Sequence, residues 1–267
     1  MEQVDPARLV HIEHVMGTAV SFDLRGAGDR RAAVEEAVSW FHEVDRRFSP
    51  YRPGSEVRRF DATPAEARSA DLAEIVAACD GLEALTGGVF RADRGDGWDP
   101  TGFVKGWSVD RAAAILDAHG CTDWSINAGG DVRVRRPRSA APWRIGVRHP
   151  DDAEALAAVL PGWDIAVATS GAYERGDHVV DPRTGLPARG ALSATVCGPE
   201  LGIADALATA AFVLGVGGPA MVAAVDGYEC WSALPGGRVL ASSGFPRLVD
   251  GVPITVGAAR APFEAAA

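Results

Sequence analysis

Two hydrophobic periodicities share this chain without taking regular turns. Val34, Val38, Phe41, Val44 and Phe48 recur at three- and four-residue steps, the stripe of an amphipathic helix predicted over residues 30–48. Just upstream, Val20, Phe22 and Leu24 alternate, which predicts a strand over residues 15–24. Further helices are predicted over 72–85, ended by Gly87-Gly88, over 104–119, ended by Gly120, and over 204–214. Short strands are predicted near 124–127, 132–134, 143–147, 165–168, 195–197, 228–234, 238–242 and 253–256. This irregular mixture predicts an α+β fold with mixed or antiparallel sheets and packed helices, in a single domain over 1–267, rather than a doubly wound parallel sheet.

Composition narrows the function. The formal net charge of the 267 residues is −10, and Arg133, Arg135, Arg136 and Arg138 form the one dense basic cluster, expected on a solvated hairpin tip. A nucleic-acid binder would carry a broader basic face, so nucleic acid is excluded as a partner. Cys79, Cys121, Cys197 and Cys230 match no metal or redox spacing and are expected as reduced, partly buried thiols. Residues 1–15 are charged, interrupted by Pro6, and lack an apolar signal-peptide core. No apolar stretch is expected to span a bilayer, which takes about 20 residues. Together these predict a cytoplasmic, soluble protein without membrane insertion; its oligomeric state is left open.

Several short motifs could carry chemistry. Of the 26 basic residues only Lys105 is a lysine, within Asp99-Pro100-Thr101-Gly102-Phe103-Val104-Lys105-Gly106. A compact ammonium fits where a guanidinium does not, so the position is a candidate for chemistry. Asp205 and Thr209 share one face of an otherwise apolar helix. A hard divalent cation would satisfy them by taking carboxylate, hydroxyl and carbonyl oxygens together. The plainer alternative is that Asp205 caps the helix and Thr209 bonds back to a carbonyl. Thr169-Ser170-Gly171 offers two hydroxyls to phosphate oxygens, or is an ordinary turn. Asn127-Ala128-Gly129-Gly130-Asp131 allows a flat ligand to approach, or is a simple hairpin. In His178-Val179-Val180-Asp181-Pro182-Arg183-Thr184-Gly185 the histidine is a candidate general base with Asp181 or Arg183 near it, or a surface histidine.

The order of these blocks, with Met16-Gly17-Thr18 and Tyr51-Arg52-Pro53-Gly54-Ser55-Glu56 ahead of them, closely resembles the ApbE family of FAD:protein FMN transferases over residues 15–215. The resemblance implies a duplicated fold of the T-fold type. It implies FAD as substrate, Mg²⁺ as cofactor, and transfer of FMN to a threonine of an acceptor flavoprotein with release of AMP. Residue by residue it implies that Met16, Tyr51, Val89, Phe90, Asp99 and Lys105 contact the flavin nucleotide and that Thr169, Ser170 and Gly171 line its pocket. Gly102 (through its carbonyl), Asp205 and Thr209 would be the metal ligands, and His178, with Asp181, the catalytic base. The stretch from Phe90 to Asp99 is shorter than is usual in the family. Two other readings stay open: an FAD pyrophosphatase yielding FMN and AMP, and a flavin-binding protein without catalysis.

Overall fold

The chain enters through a β-hairpin, β1 (Arg8–Val15) and β2 (Thr18–Arg25), followed by helices α1 (Arg30–Phe48), α2 (Ala70–Leu85) and α3 (Thr101–Ala118). A second hairpin follows, β3 (Asp123–Ala128) and β4 (Asp131–Arg135), and then an excursion, β5 (Trp143–His149) and β6 (Asp152–Gly162). The second half repeats the first in outline. Strands β7 (Asp164–Gly171) and β10 (Ser193–Gly198) flank a short pair, β8 (Val180–Asp181) and β9 (Leu186–Pro187). Helices α4 (Leu201–Leu214) and α5 (Gly218–Val222) lead to β11 (Glu229–Leu234) and β12 (Arg238–Ala241), and the pair β13 (Pro246–Val249) and β14 (Val252–Thr255) closes the series. The computed structural model describes residues 8–95, 97–171, 179–249 and 252–255.

Eight strands form one sheet in the order β1-β2-β3-β4-β7-β10-β11-β12, and every neighbouring pair is antiparallel. Strand alternation separates two cores. Ala166 and Ala168 of β7 face the helices with Phe22, Phe41 and Leu207. Val167 faces the other way, where the β5–β6 hairpin covers Val134, Cys197 and Trp231 with Ile145, Val147 and Leu160. This is an α+β architecture, as predicted.

Helix α1 spans the predicted residues 30–48. Asp29 caps it, accepting from the Ala32 amide at 3.2 Å, and Val34, Phe41, Val44 and Phe48 are buried. Its valines cost a few tenths of a kcal/mol each in helix propensity. Full burial of a phenylalanine stabilises by about 1.5–3 kcal/mol, so the stripe decides the outcome.

Three expectations are corrected, and one strand, β6, was not anticipated. The first strand begins at Arg8, because β1 inverts the usual pattern: Val10 and Ile12 are exposed while His11 and Glu13 are half-buried. Strand β6, rich in alanine and containing Pro161, earns its pairing only as a cover for the second core. The arginine cluster is no hairpin tip: Arg133 pairs with Asp164 at 2.6 Å, Arg136 with Asp123 at 2.9 Å, and Arg135 with Asp117. Residues Leu201–Val222 are by length and composition apolar enough to cross a membrane. Here they are mostly buried within the protein, spread over α4 and α5 with glycine breaks at Gly215, Gly217 and Gly218. All four cysteines are free and buried.

Helices α3 and α4 approach closely where two glycines meet. A Cβ on Gly106 would sit 2.6 Å from the Gly202 amide nitrogen and against the Leu201 carbonyl, and one on Gly202 would lie 3.0 Å from the Trp107 amide. Asp110, one turn further along α3, accepts from the Leu201 and Gly202 amides at 2.9 Å each and so caps α4. Alanine at position 106 would gain about 1 kcal/mol of helix propensity. The clash is with backbone, which cannot rotate away, so Gly106→Ala should be net destabilising by about 1–3 kcal/mol, read as a lowered denaturation midpoint.

Candidate active site

A cleft of about 1460 Å³ opens at the end of the sheet where the β1–β2 and β3–β4 turns lie side by side. Both are two-residue turns with positive φ throughout: 54° and 72° at Met16-Gly17, 62° and 99° at Gly129-Gly130. That geometry suits glycine and asparagine, and Met16 is the one residue other than glycine with positive φ among the described residues. Strain of this kind persists where the surroundings over-determine it. The two turns interlock: the Gly129 amide donates to the Ala19 carbonyl at 3.1 Å, and a Cβ on Gly129 would stand 2.5 Å from Thr18 Oγ1.

The far wall comes from the loop after α1. Arg47 clamps the loop's base by pairing with Glu56 at 2.7 Å and Asp71 at 2.6 Å, while the Glu56 amide donates to the Arg47 carbonyl at 2.7 Å. Tyr51 stands at the tip, 90% exposed over the cleft. The short stretch after Phe90 folds into a tight closed loop: Asp93 bridges Trp98, whose ring stacks on Phe60 at 4.1 Å. Asp99 ends it, accepting from the Thr101 amide at 3.0 Å and pairing with Arg94 at 3.1 Å. Helix α3 starts at Thr101, three residues earlier than predicted, so Gly102 and Lys105 lie in its first turns rather than in a loop. A helical carbonyl such as that of Gly102 has a second lone pair to offer.

Thr169-Ser170-Gly171 is the end of β7 and not a turn, paired with Thr195, Ala194 and Ser193 of β10. Thr169 Oγ1 lies 2.9 Å from Thr195 Oγ1, and Ser170 Oγ lies 3.2 Å from Thr209 Oγ1. Asp205 is in the second turn of α4, so it is no cap; that task falls to Asp110. Its carboxylate is buried, and Lys105 Nζ lies 2.8 Å from its Oδ2, although no donor is aimed at that oxygen. The same ammonium donates to Asp131, a residue to which the sequence assigned no role. An acid directly after a Gly-Gly turn was the available signal.

Met16, Tyr51, Val89, Phe90, Asp99, Gly102, Lys105, Thr169, Ser170, Gly171, Asp205 and Thr209 therefore all line one cleft. Val89 and Phe90 are mostly core; the Phe90 ring fills the space beside Gly102, 3.2 Å from where a Cβ would stand. Asp181, expected beside His178, stands apart from this set. It does not line the cleft, and its carboxylate is held by Arg183 at 2.7 and 2.9 Å. That guanidinium holds the Asp181 carboxyl below the usual pKa range, so it stays ionised. His178 lies outside the described residues. Among the described residues no three His, Cys, Asp or Glu side chains cluster to hold a metal, so a cation here would rely on Asp205 with neutral oxygens. The arginines of the cleft are paired, Arg52 with Asp45, Arg94 with Asp99 and Arg91 with Glu83.

Burial pushes the Asp110 carboxyl up to about 6, against the pull of the two amides it caps. The folded state thus holds this proton more tightly than the unfolded chain, whose aspartates titrate near 3.9. The contribution of this group to stability is full below about pH 4 and is lost as the pH rises through 6. Denaturation at pH 4, 5, 6 and 7 should show this decline, of order 3 kcal/mol, in the wild type and not in Asp110→Asn.

The model of the ApbE family matches residues 16–96 and 91–231. An FAD:protein FMN transferase of Rhodobacter capsulatus is 38% identical over 121 residues, covering 42% of this chain and 23% of that protein. Another, of Vibrio cholerae, is 34% identical over 128 residues, covering 44% and 38%. The matched segments thus span well under half the length of these curated relatives. The solved ApbE protein of Thermotoga maritima superposes with a TM-score of 0.77 over 87% of this chain and 96% of that one, at 24% identity, and so shares the fold.

Proposed function

The chain belongs to the ApbE family, and from that premise we propose that it transfers FMN from FAD to a threonine hydroxyl of an acceptor flavoprotein, with AMP as leaving group and magnesium as the cation. The observation that carries this reading is convergence: Asp205 and Thr209 of α4, Gly102 and Lys105 of α3, and Met16, Tyr51 and Ser170 from three other segments all face one cleft. At about 1460 Å³ the cleft has room for a dinucleotide, beyond the range typical of smaller ligands.

Asp205, Thr209 and the Gly102 carbonyl would hold magnesium. They suit a hard cation, and the buried Asp205 supplies the charged oxygen such an ion needs. When bound, the ion neutralises charge on the pyrophosphate. Lys105 adds a second positive charge at the same place, and Ser170 with Thr209 offers hydroxyls. Tyr51, exposed at the rim, is free to lie on the isoalloxazine ring. The threonine oxygen of the acceptor bonds to the FMN-side phosphorus, the bond from that phosphorus to the bridging oxygen breaks, and AMP departs with that oxygen. The hydroxyl proton passes to a base, for which His178 is proposed on the sequence alone. We place the reaction in the cytoplasm, a reading supported by the four free, buried thiols.

Purified protein incubated with FAD, magnesium and a threonine-bearing flavin-acceptor domain should release AMP and add the mass of FMN to the acceptor. AMP with free FMN alone would replace transfer with hydrolysis, and no AMP would leave a binding protein. Asp205→Ala should lower magnesium-dependent turnover by about a thousand-fold or more, since a metal supplies several kcal/mol of charge stabilisation. His178→Ala should cost about 10²–10⁴-fold and remove the rise in rate through the histidine range near pH 6.5. Unchanged turnover in either variant removes that residue's role.

A further inference from the structure

Asp131 is buried, 3% exposed, and opens β4 directly after the Gly129-Gly130 turn. Its two oxygens have different tasks. Oδ1 accepts from the Thr169 amide at 3.1 Å. The β4–β7 ladder ends at Val132↔Val167, so this amide lies beyond the paired register and the side chain extends the ladder by one bond. Oδ2 accepts from the Lys105 ammonium. Asp205 Oδ2 lies 2.8 Å from the same nitrogen, yet no donor is aimed at it. Lys105 thus donates to one buried carboxylate while its charge also offsets the other.

We propose that Asp131 is a positioning residue that retains Lys105 and so decides which cation Asp205 holds. The proposal rests on the reading of Asp205 as a metal ligand. Without a divalent cation the ammonium serves as tethered counter-ion to both carboxylates, sparing Asp205 the cost of a buried, uncompensated charge. A divalent cation at Asp205 repels the ammonium, and Asp131 is the acceptor that keeps it inside the cleft. Lysine suits this role because a single compact ammonium can be passed between two oxygens. A guanidinium would offer separate donors to each and grip both. This gives the chain's one lysine a physical reason.

The test is titration of the flavin-free protein with Mn²⁺, following free Mn²⁺ by electron paramagnetic resonance. Lys105→Met, which leaves the Thr169 bond intact, should bind Mn²⁺ about tenfold more tightly, because the tethered competitor is gone. Asp131→Asn, whose amide oxygen still accepts from Thr169, should bind about tenfold more weakly, because the ammonium falls back on Asp205. In the Lys105→Met background the same Asp131→Asn change should cost about threefold or less. A simple charge effect or a structural pin would cost the same in both backgrounds, and equal losses overturn the proposal. So does unchanged or weaker binding by Lys105→Met, which decides the matter even if Asp131→Asn fails to fold. Asp205→Ala separates the two readings. If it binds Mn²⁺ like the wild type, or if the wild type binds none, the metal-ligand assignment falls and this proposal with it. If it loses Mn²⁺ while Asp131→Asn binds normally, only the role of Asp131 is lost.

Discussion

Two hydrogen bonds, from the Leu201 and Gly202 amides to the Asp110 carboxylate, hold the arrangement on which the cleft depends. They fix the N-terminus of α4 against the middle of α3 at the point where Gly106 and Gly202 let the backbones touch. From that crossing the functional residues of both helices extend within one or two turns: Gly102 and Lys105 on α3, Asp205 and Thr209 on α4. Each glycine forgoes about 1 kcal/mol of helix propensity. The Asp110 side chain offsets part of that by meeting two otherwise unsatisfied amides at the start of α4. The compensation is local, and its benefit is registry between two elements nearly a hundred residues apart in sequence.

The sheet supplies the second half of the site by ending in the right places. The β1–β2 and β3–β4 turns finish side by side, locked by Thr18 against Gly129, and the end of β7 reaches the same level. Ser170 then ties strand to helix through Thr209, and Thr169 ties β7 to β10 through Thr195. Met16 adopts a left-handed conformation in a turn that favours asparagine or glycine, and it does so at the rim of the cleft. Backbone strain at a place where a flat ligand would approach agrees with the proposed flavin contact.

Charge in the cleft is handled by pairing. Its arginines have carboxylate partners at the rim, where water screens them and each pair contributes little. Lys105 differs, because its two partners are buried and one of them lacks a donor aimed at it. A buried carboxylate is costly unless its charge is compensated, and the ammonium 2.8 Å from Asp205 supplies that compensation.

Much of this was legible in the chain itself. The stripe on α1 set that helix, because burial of its phenylalanines outweighs every local preference, and the ordered blocks from Met16 to Thr209 identified the family. Where local signals were inverted or silent, reading failed. Strand β1 points valine and isoleucine outward, β6 is an alanine-rich strand paired with β5 over the core it covers, and Asp181, expected beside the candidate base His178, bonds instead to Arg183. Asp131 carried one local signal, the Gly-Gly turn before it, but its role lies in contacts with Lys105 and Thr169, 26 and 38 residues away. Sequence alone determined which residues could do the chemistry, since side-chain type and period are local properties. Tertiary structure alone decided which carboxylates share one ammonium and which oxygen lacks a donor, since those follow from close approach between segments far apart in the chain.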